Sequence, residues 1–170
     1  MPKTTPERNK AIVLEAFDTL FNKRDYPAAE RFWSPKYIQH SAHIAPGREG
    51  LFALVRSTPD TLRYENQLIV AEGDYVIAHG RFSGIGRPAA WVAADVIRFE
   101  DGLLAEHWDV LQDEATQAES ISGLPMFGDR FPAQREDHTP LMSAQLYAKV
   151  SPTISSLFFQ RAFAFSGSRA

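Results

Sequence analysis

Three ionisable side chains fall close together past the middle of the chain: Asp95 in Ala94-Asp95-Val96-Ile97, and His107 and Asp109 in Glu106-His107-Trp108-Asp109. Both segments alternate with period two around Glu100-Asp101-Gly102, so they read as the two strands of a hairpin. A three-residue turn sets Ile97 against Ala105, Asp95 against His107 and Ala93 against Asp109. All of these then share one face, with Trp91, Phe99, Leu103 and Leu111, and the rest of that face is apolar. A buried carboxylate is costly unless paired, and its pKa moves towards neutrality. An imidazole within reach of two of them is therefore a candidate acid/base set. The competing reading is a solvated face with an ordinary cross-strand contact. The faces also depend on the turn: a two-residue Asp101-Gly102 loop shifts the pairing by one and brings Trp108, not His107, to the Asp95 side.

The other histidines are less placed. His40 ends a short extended piece ahead of a loop, and reads equally as a site residue or a loop histidine. His43 follows three residues later, and with His107-x-Asp109 the pair raises the question of iron or zinc. Nothing in the spacing makes these groups converge, so no metal is expected. His79 sits in mid-strand as a core or pocket residue, and His138 lies in an irregular tail where solvation is expected. Other chemistries fall away. Without cysteine there is no thiolate nucleophile, disulfide or Cys-held metal. The five lysines are at 3, 10, 23, 36 and 149, which excludes a Schiff base among the strands between them. No Gly-x-Ser-x-Gly elbow, phosphate-cradling GxxxxGK[ST] or strand-linked GxGxxG occurs. Catalysis is left to carboxylates and histidine, with no cofactor expected.

The elements that must carry these groups fit one domain of 170 residues. With 44% apolar and 23% charged residues the composition is globular, and a net charge of −3 gives no global attraction to nucleic acid. No run reaches the ~18 apolar residues of a membrane span, and Met1 to Thr5 is no signal core, so a cytoplasmic protein is expected. Thr5 and Pro6 start a first helix running to about Asn22. Pro27 opens a second that ends at Ser34-Pro35. Tyr37 to His40 is a short extended piece, and Arg48 to Ser57 forms a third helix. Strands follow over 62–70, 75–83, 90–99 and 103–112. Helices followed by a meander of strands indicate α+β. Residues 1–127 form the domain and 128–170 an extension: a Pro/Gly loop, a possible helix at Leu141–Val150, then the apolar stretch Leu157–Phe165, expected to dock on this chain or a partner subunit.

Tyr37-Ile38-Gln39-His40 and Pro46-Gly47-Arg48-Glu49-Gly50, followed by Ala94 to Gly102 and Glu106 to Val110, resemble the SnoaL-like polyketide cyclases of the nuclear transport factor two-like superfamily. The resemblance covers about residues 8–127. It implies a curved antiparallel sheet wrapped by the three helices into a cone with an internal pocket. It also implies that Asp109 is the acid/base of a cofactor-free aldol closure. A histidine often assists from the neighbouring strand in that family; Asp95 holds its place here. In the related ketosteroid isomerases the Asp95 place hydrogen-bonds the enolate oxygen, the shuttling base matches about His40, and a helix-one tyrosine is replaced here by Phe17.

The reading that combines the residues with the resemblance is a lyase or isomerase acting beside a carbonyl. Asp109 or His107 takes the proton, and Asp95 or His40 donates to the enolate. Phe17, Trp33, Tyr37, His79, Trp91 and Phe99 are expected to line a pocket for a small hydrophobic molecule. The alternatives are an epoxide hydrolase or dehydratase using Arg81 with Asp95 and Asp109, and a non-catalytic ligand-binding cone. A homodimer through the outer sheet face, where Trp108 and Val96 would lie, is the family-level expectation, with neither nucleic acid nor membrane as partner.

Overall fold

The computed structural model describes residues 4–132. The expected features at His138, Leu141–Val150 and Leu157–Phe165 lie outside the described residues. Helix α1 (Pro6–Phe17) begins where Thr5 Oγ1 accepts from the Arg8 N–H, with proline just inside. Its buried stripe is Ile12, Val13, Ala16 and Phe17. It continues into a π-helical turn (Asp18–Asn22). There the Asn22 amide pairs with the backbone of Tyr64, accepting from N–H at 2.8 Å and donating to C=O at 3.1 Å. The bulging turn thus ends in a side chain that clamps an edge strand.

Helix α2 (Tyr26–Ala29) and a 3₁₀ turn (Glu30–Phe32) lead into β1 (Trp33–Gln39). The second helix therefore stops before Trp33, earlier than Ser34-Pro35, and the short extended piece is a full strand. Pro35 is tolerated because β1 is an edge strand whose register is irregular between Trp33 and Ile38. Helix α3 (Gly47–Ser57) has its last carbonyls capped by Arg24, whose Nη2 donates to Val55 O at 2.9 Å and Thr58 O at 3.1 Å.

Strands β2 (Arg63–Glu72), β3 (Tyr75–Ser83), β4 (Trp91–Glu100) and β5 (Leu103–Asp113) complete an open sheet in the order β1-β5-β4-β3-β2. β1 runs parallel to β5 and every other pair is antiparallel, so the sheet is mixed rather than purely antiparallel. The helices cover one face of this α+β cone. Phe17, Phe21, Tyr64 and Phe82 pack there with ring centroids 4.9–6.0 Å apart. A Cβ on Gly80 would stand 2.4 Å from the Tyr64 ring, so glycine makes room for that ring over β3. Among the described residues, no helix is long and apolar enough to cross a membrane.

The β4–β5 hairpin departs from the expected register in two steps. Glu100 pairs with Leu103, so the turn is the two-residue one, with Asp101 and Gly102 both at positive φ (52° and 79°) as a type I′ turn requires. Taken alone this would exchange the faces. A bulge follows: Phe99 pairs with Leu104 but Arg98 pairs with Glu106, leaving Ala105 over. The second one-residue shift restores the parity of the first. Asp95, His107 and Asp109 share a face after all, but Asp95 stands opposite Asp109, and His107 opposite Ile97. Beside Phe99 the inward residue is Leu104, not Leu103.

Candidate functional site

Between the helices and the concave face lies an apolar cavity of about 70 Å³. Helix α1 contributes Phe17, the π-helical turn Phe21 and α3 Leu51 and Val55; β1 contributes Trp33 and Tyr37; and β4 and β5 contribute Trp91, Asp95, Ile97, Leu104, His107, Asp109 and Leu111. The three ionisable groups converge because their strands are neighbours with the same parity. Asp95 is 3% exposed and His107 6%. His107 Nε2 lies 2.9 Å from Asp95 Oδ1, and its Nδ1 lies 2.9 Å from Gln39 Oε1. Asp95 Oδ2 is buried with no hydrogen-bond partner in the protein. Burial drives the Asp95 carboxyl above its ordinary value; the hydrogen bond and charge of His107 oppose this, and the Asp109 charge adds to it.

Two donors line the same cavity. Burial pushes the Tyr37 phenol far up, so it keeps its proton, and its oxygen accepts from Gln39 Nε2 at 3.4 Å. Trp33 Nε1–H is buried with no hydrogen-bond partner in the protein. The cavity thus pairs acceptors on β4 and β5 with donors on β1, in surroundings where an unmatched polar group is costly. Asp95, His107 and Asp109 each also offer a metal-ligand atom, all within 4.8 Å of one another. A cation there would displace the Asp95–His107 hydrogen bond.

Of the other expected site residues, Phe17, Trp33, Tyr37 and Trp91 line the cavity, and Phe99 is buried in the core without reaching it. His40 and His79 are not brought to it. The His40 ring lies on the outer face, stacked on Trp108 at 4.8 Å, with Nε2 2.8 Å from Glu106 Oε1. The physical reason is strand alternation: His40 follows Gln39, so it points the other way. His40 first, then Arg98, hold the Glu106 carboxyl below its usual range. His79 is outward on β3, 5.8 Å from the Phe127 ring. Arg81 shares that face and is paired with Glu65 at 2.5 Å and Glu114 at 3.5 Å, so it does not join Asp95 and Asp109. His43, considered only for a metal, lines the cavity and stacks 6.2 Å from Trp91.

Gln39 was missed as a site residue. Its signal was parity with Tyr37 on β1 and adjacency to β5, where its register partner is His107.

The SnoaL-like domain model matches residues 13–107. No curated protein sequence matches the chain. Among solved structures, TsrD from Streptomyces laurentii is 26% identical with a TM-score of 0.55, over 65% of this chain and 92% of its own. A Kribbella flavida protein described as a candidate ketosteroid isomerase is 18% identical with a TM-score of 0.58, over 75% and 97%. An LEH-like epoxide hydrolase of M. tuberculosis is 16% identical with a TM-score of 0.53, over 69% and 90%. The last two likenesses speak for the fold alone.

Proposed function

The chain belongs to the SnoaL-like domain family, and from that premise and the cavity chemistry we propose a cofactor-independent acid/base enzyme acting on a small hydrophobic carbonyl compound. The supporting observation is the buried Asp95, tied to His107 through Oδ1, with Oδ2 unpartnered and Asp109 opposite it. A carboxylate takes the proton alpha to the carbonyl, and the electron pair runs to the carbonyl oxygen. Tyr37 O–H and Trp33 Nε1–H supply donors for that oxygen, and the apolar walls strengthen both interactions. Return of the proton to another atom is an isomerisation. Attack of the carbanion on a second carbonyl of the same molecule is an aldol-type cyclisation, with the new alkoxide taking the proton back. The environments of the two carboxyls differ, Asp95 buried and Asp109 half-buried, and such a difference separates an acid from a base. In this reading His40 and His79 carry no step.

The same proposal includes a cytoplasmic location, residues 128–170 as an extension, and a homodimer through the outer face, where Val110 is 73% exposed beside Trp108.

The test is deuterium exchange at the alpha carbon of hydrophobic cyclic ketones in D₂O, followed by mass spectrometry. The wild type should accelerate exchange, and Asp109→Asn should lose about 10²–10⁴-fold of that acceleration. Saturable binding across the panel without any exchange would replace the enzyme with a ligand-binding cone.

A further inference from the structure

We infer that Gln39 is a positioning residue that fixes the proton of the neutral His107 ring on Nδ1, so that Asp95 can pass a proton across its own carboxyl group from Oδ2 to His107. The Ser41 backbone N–H points at Gln39 Oε1 at 2.9 Å, and a backbone N–H only donates. The atom there must be the amide oxygen. The other arm, Nε2, faces the Tyr37 oxygen at 3.4 Å. Turning the amide over would set its N–H₂ against the Ser41 N–H.

The same Oε1 is 2.9 Å from His107 Nδ1, so Nδ1 carries a hydrogen. A neutral imidazole has only one, which leaves Nε2 as a bare acceptor, 2.9 Å from Asp95 Oδ1. The proton in that contact sits on Oδ1, or on Nε2 as an imidazolium–carboxylate pair. In either form Oδ2 offers only lone pairs. The ligand group it recognises therefore bears hydrogen: an alpha C–H, or the O–H of an enol, phenol or alcohol. A ketone oxygen is left to the Tyr37 and Trp33 donors.

The step balances within the site. Asp109 takes the proton as the alpha C–H bond breaks and the electron pair becomes the enolate; the proton moves on to Oδ2 of Asp95 beside it while the Oδ1 proton moves to Nε2. The resulting imidazolium has both N–H groups satisfied, by Gln39 and by Asp95. With the neutral ring protonated on Nε2 instead, Oδ1 would have nowhere to unload. This deepens the proposed function, but it is read on the resting protein, so either can fail without the other.

The experiment is histidine ring ¹⁵N NMR on the full chain, at a pH where the His107 ring is neutral, with the signal assigned by His107→Gln. The wild type should show a protonated Nδ1 and a bare Nε2. Gln39→Glu, which keeps an acceptor oxygen, should retain that pattern, whereas Gln39→Met should move the proton to Nε2. A wild-type ring protonated on Nε2 overturns the inference and needs no variant. Persistence of Nδ1–H in a folded Gln39→Met protein overturns it equally.

Discussion

Replacing Asp95 by asparagine should remove a pH dependence of stability that the wild type carries. The substituted amide fits the site: its N–H can donate to the bare Nε2 of His107 where Asp95 Oδ1 now stands, 2.9 Å away. Burial raises the Asp95 carboxyl above its ordinary value of 3.8. Below that value the group is protonated in both the folded and unfolded chains and costs nothing. Above it the unfolded chain ionises while the folded site resists, so stability falls as pH rises, until the folded carboxyl also ionises. The slope in this window is up to about 1.4 kcal/mol per pH unit. For a chain of this size that is about 3–5 °C of Tm per unit. Thermal melts of wild type and Asp95→Asn from pH 4 to 8 measure it directly, because groups common to both proteins cancel in the difference. The wild-type Tm should drop relative to the variant as pH rises above 4. A difference constant across the range would mean that Asp95 ionises as readily folded as unfolded, and the account of a buried, proton-holding carboxyl would be wrong.

Asp109→Asn should lose exchange activity while melting close to the wild type, since Asp109 is half-buried and lines the cavity; calorimetry beside the exchange assay separates the two effects. His40→Gln should keep exchange at the wild-type rate, because the ring lies on the outer face against Glu106 and Trp108; a loss of rate there would return His40 to the mechanism. Gly80→Ala should cost about 1–3 kcal/mol by overpacking, read as a lower melting midpoint, because its Cβ would enter the Tyr64 ring.

The strands were legible because their alternation is strong. The span Tyr75–Ser83 was fully expected, and the ends of β4 and β5 fell within a residue of expectation. The inward face of Asp95, His107 and Asp109 was legible too, but for an incomplete reason. Local rules for turns name the Asp101-Gly102 loop, yet no local rule announces that Ala105 will be left over. The bulge forms within long-range pairing, so the individual cross-strand partners were not readable. β1 was reduced to a short piece because Pro35 interrupts it, and only its place at a sheet edge makes that proline acceptable. His40 drew attention because histidine is reactive, whereas strand parity, counted from Tyr37, points inward at Gln39. The outward placement of Arg81 follows from the same parity on β3, where Gly80 and Phe82 face the core.

The leftover Ala105 gives the hairpin something like a reading frame. The two-residue turn moves the frame by one, and the extra residue moves it back. Were Ala105 instead paired with Arg98 in a regular ladder, the frame would be out by one from there onward, presenting Trp108 and Val110 to the cavity while His107 and Asp109 pointed outside; deleting Ala105 would only close the bulge and leave Arg98 against Glu106. A three-residue turn over Glu100 to Gly102, setting Phe99 against Leu103, would bring the frame back without the bulge. Two chains of this kind with different turns can therefore present the same chemistry provided their offsets cancel.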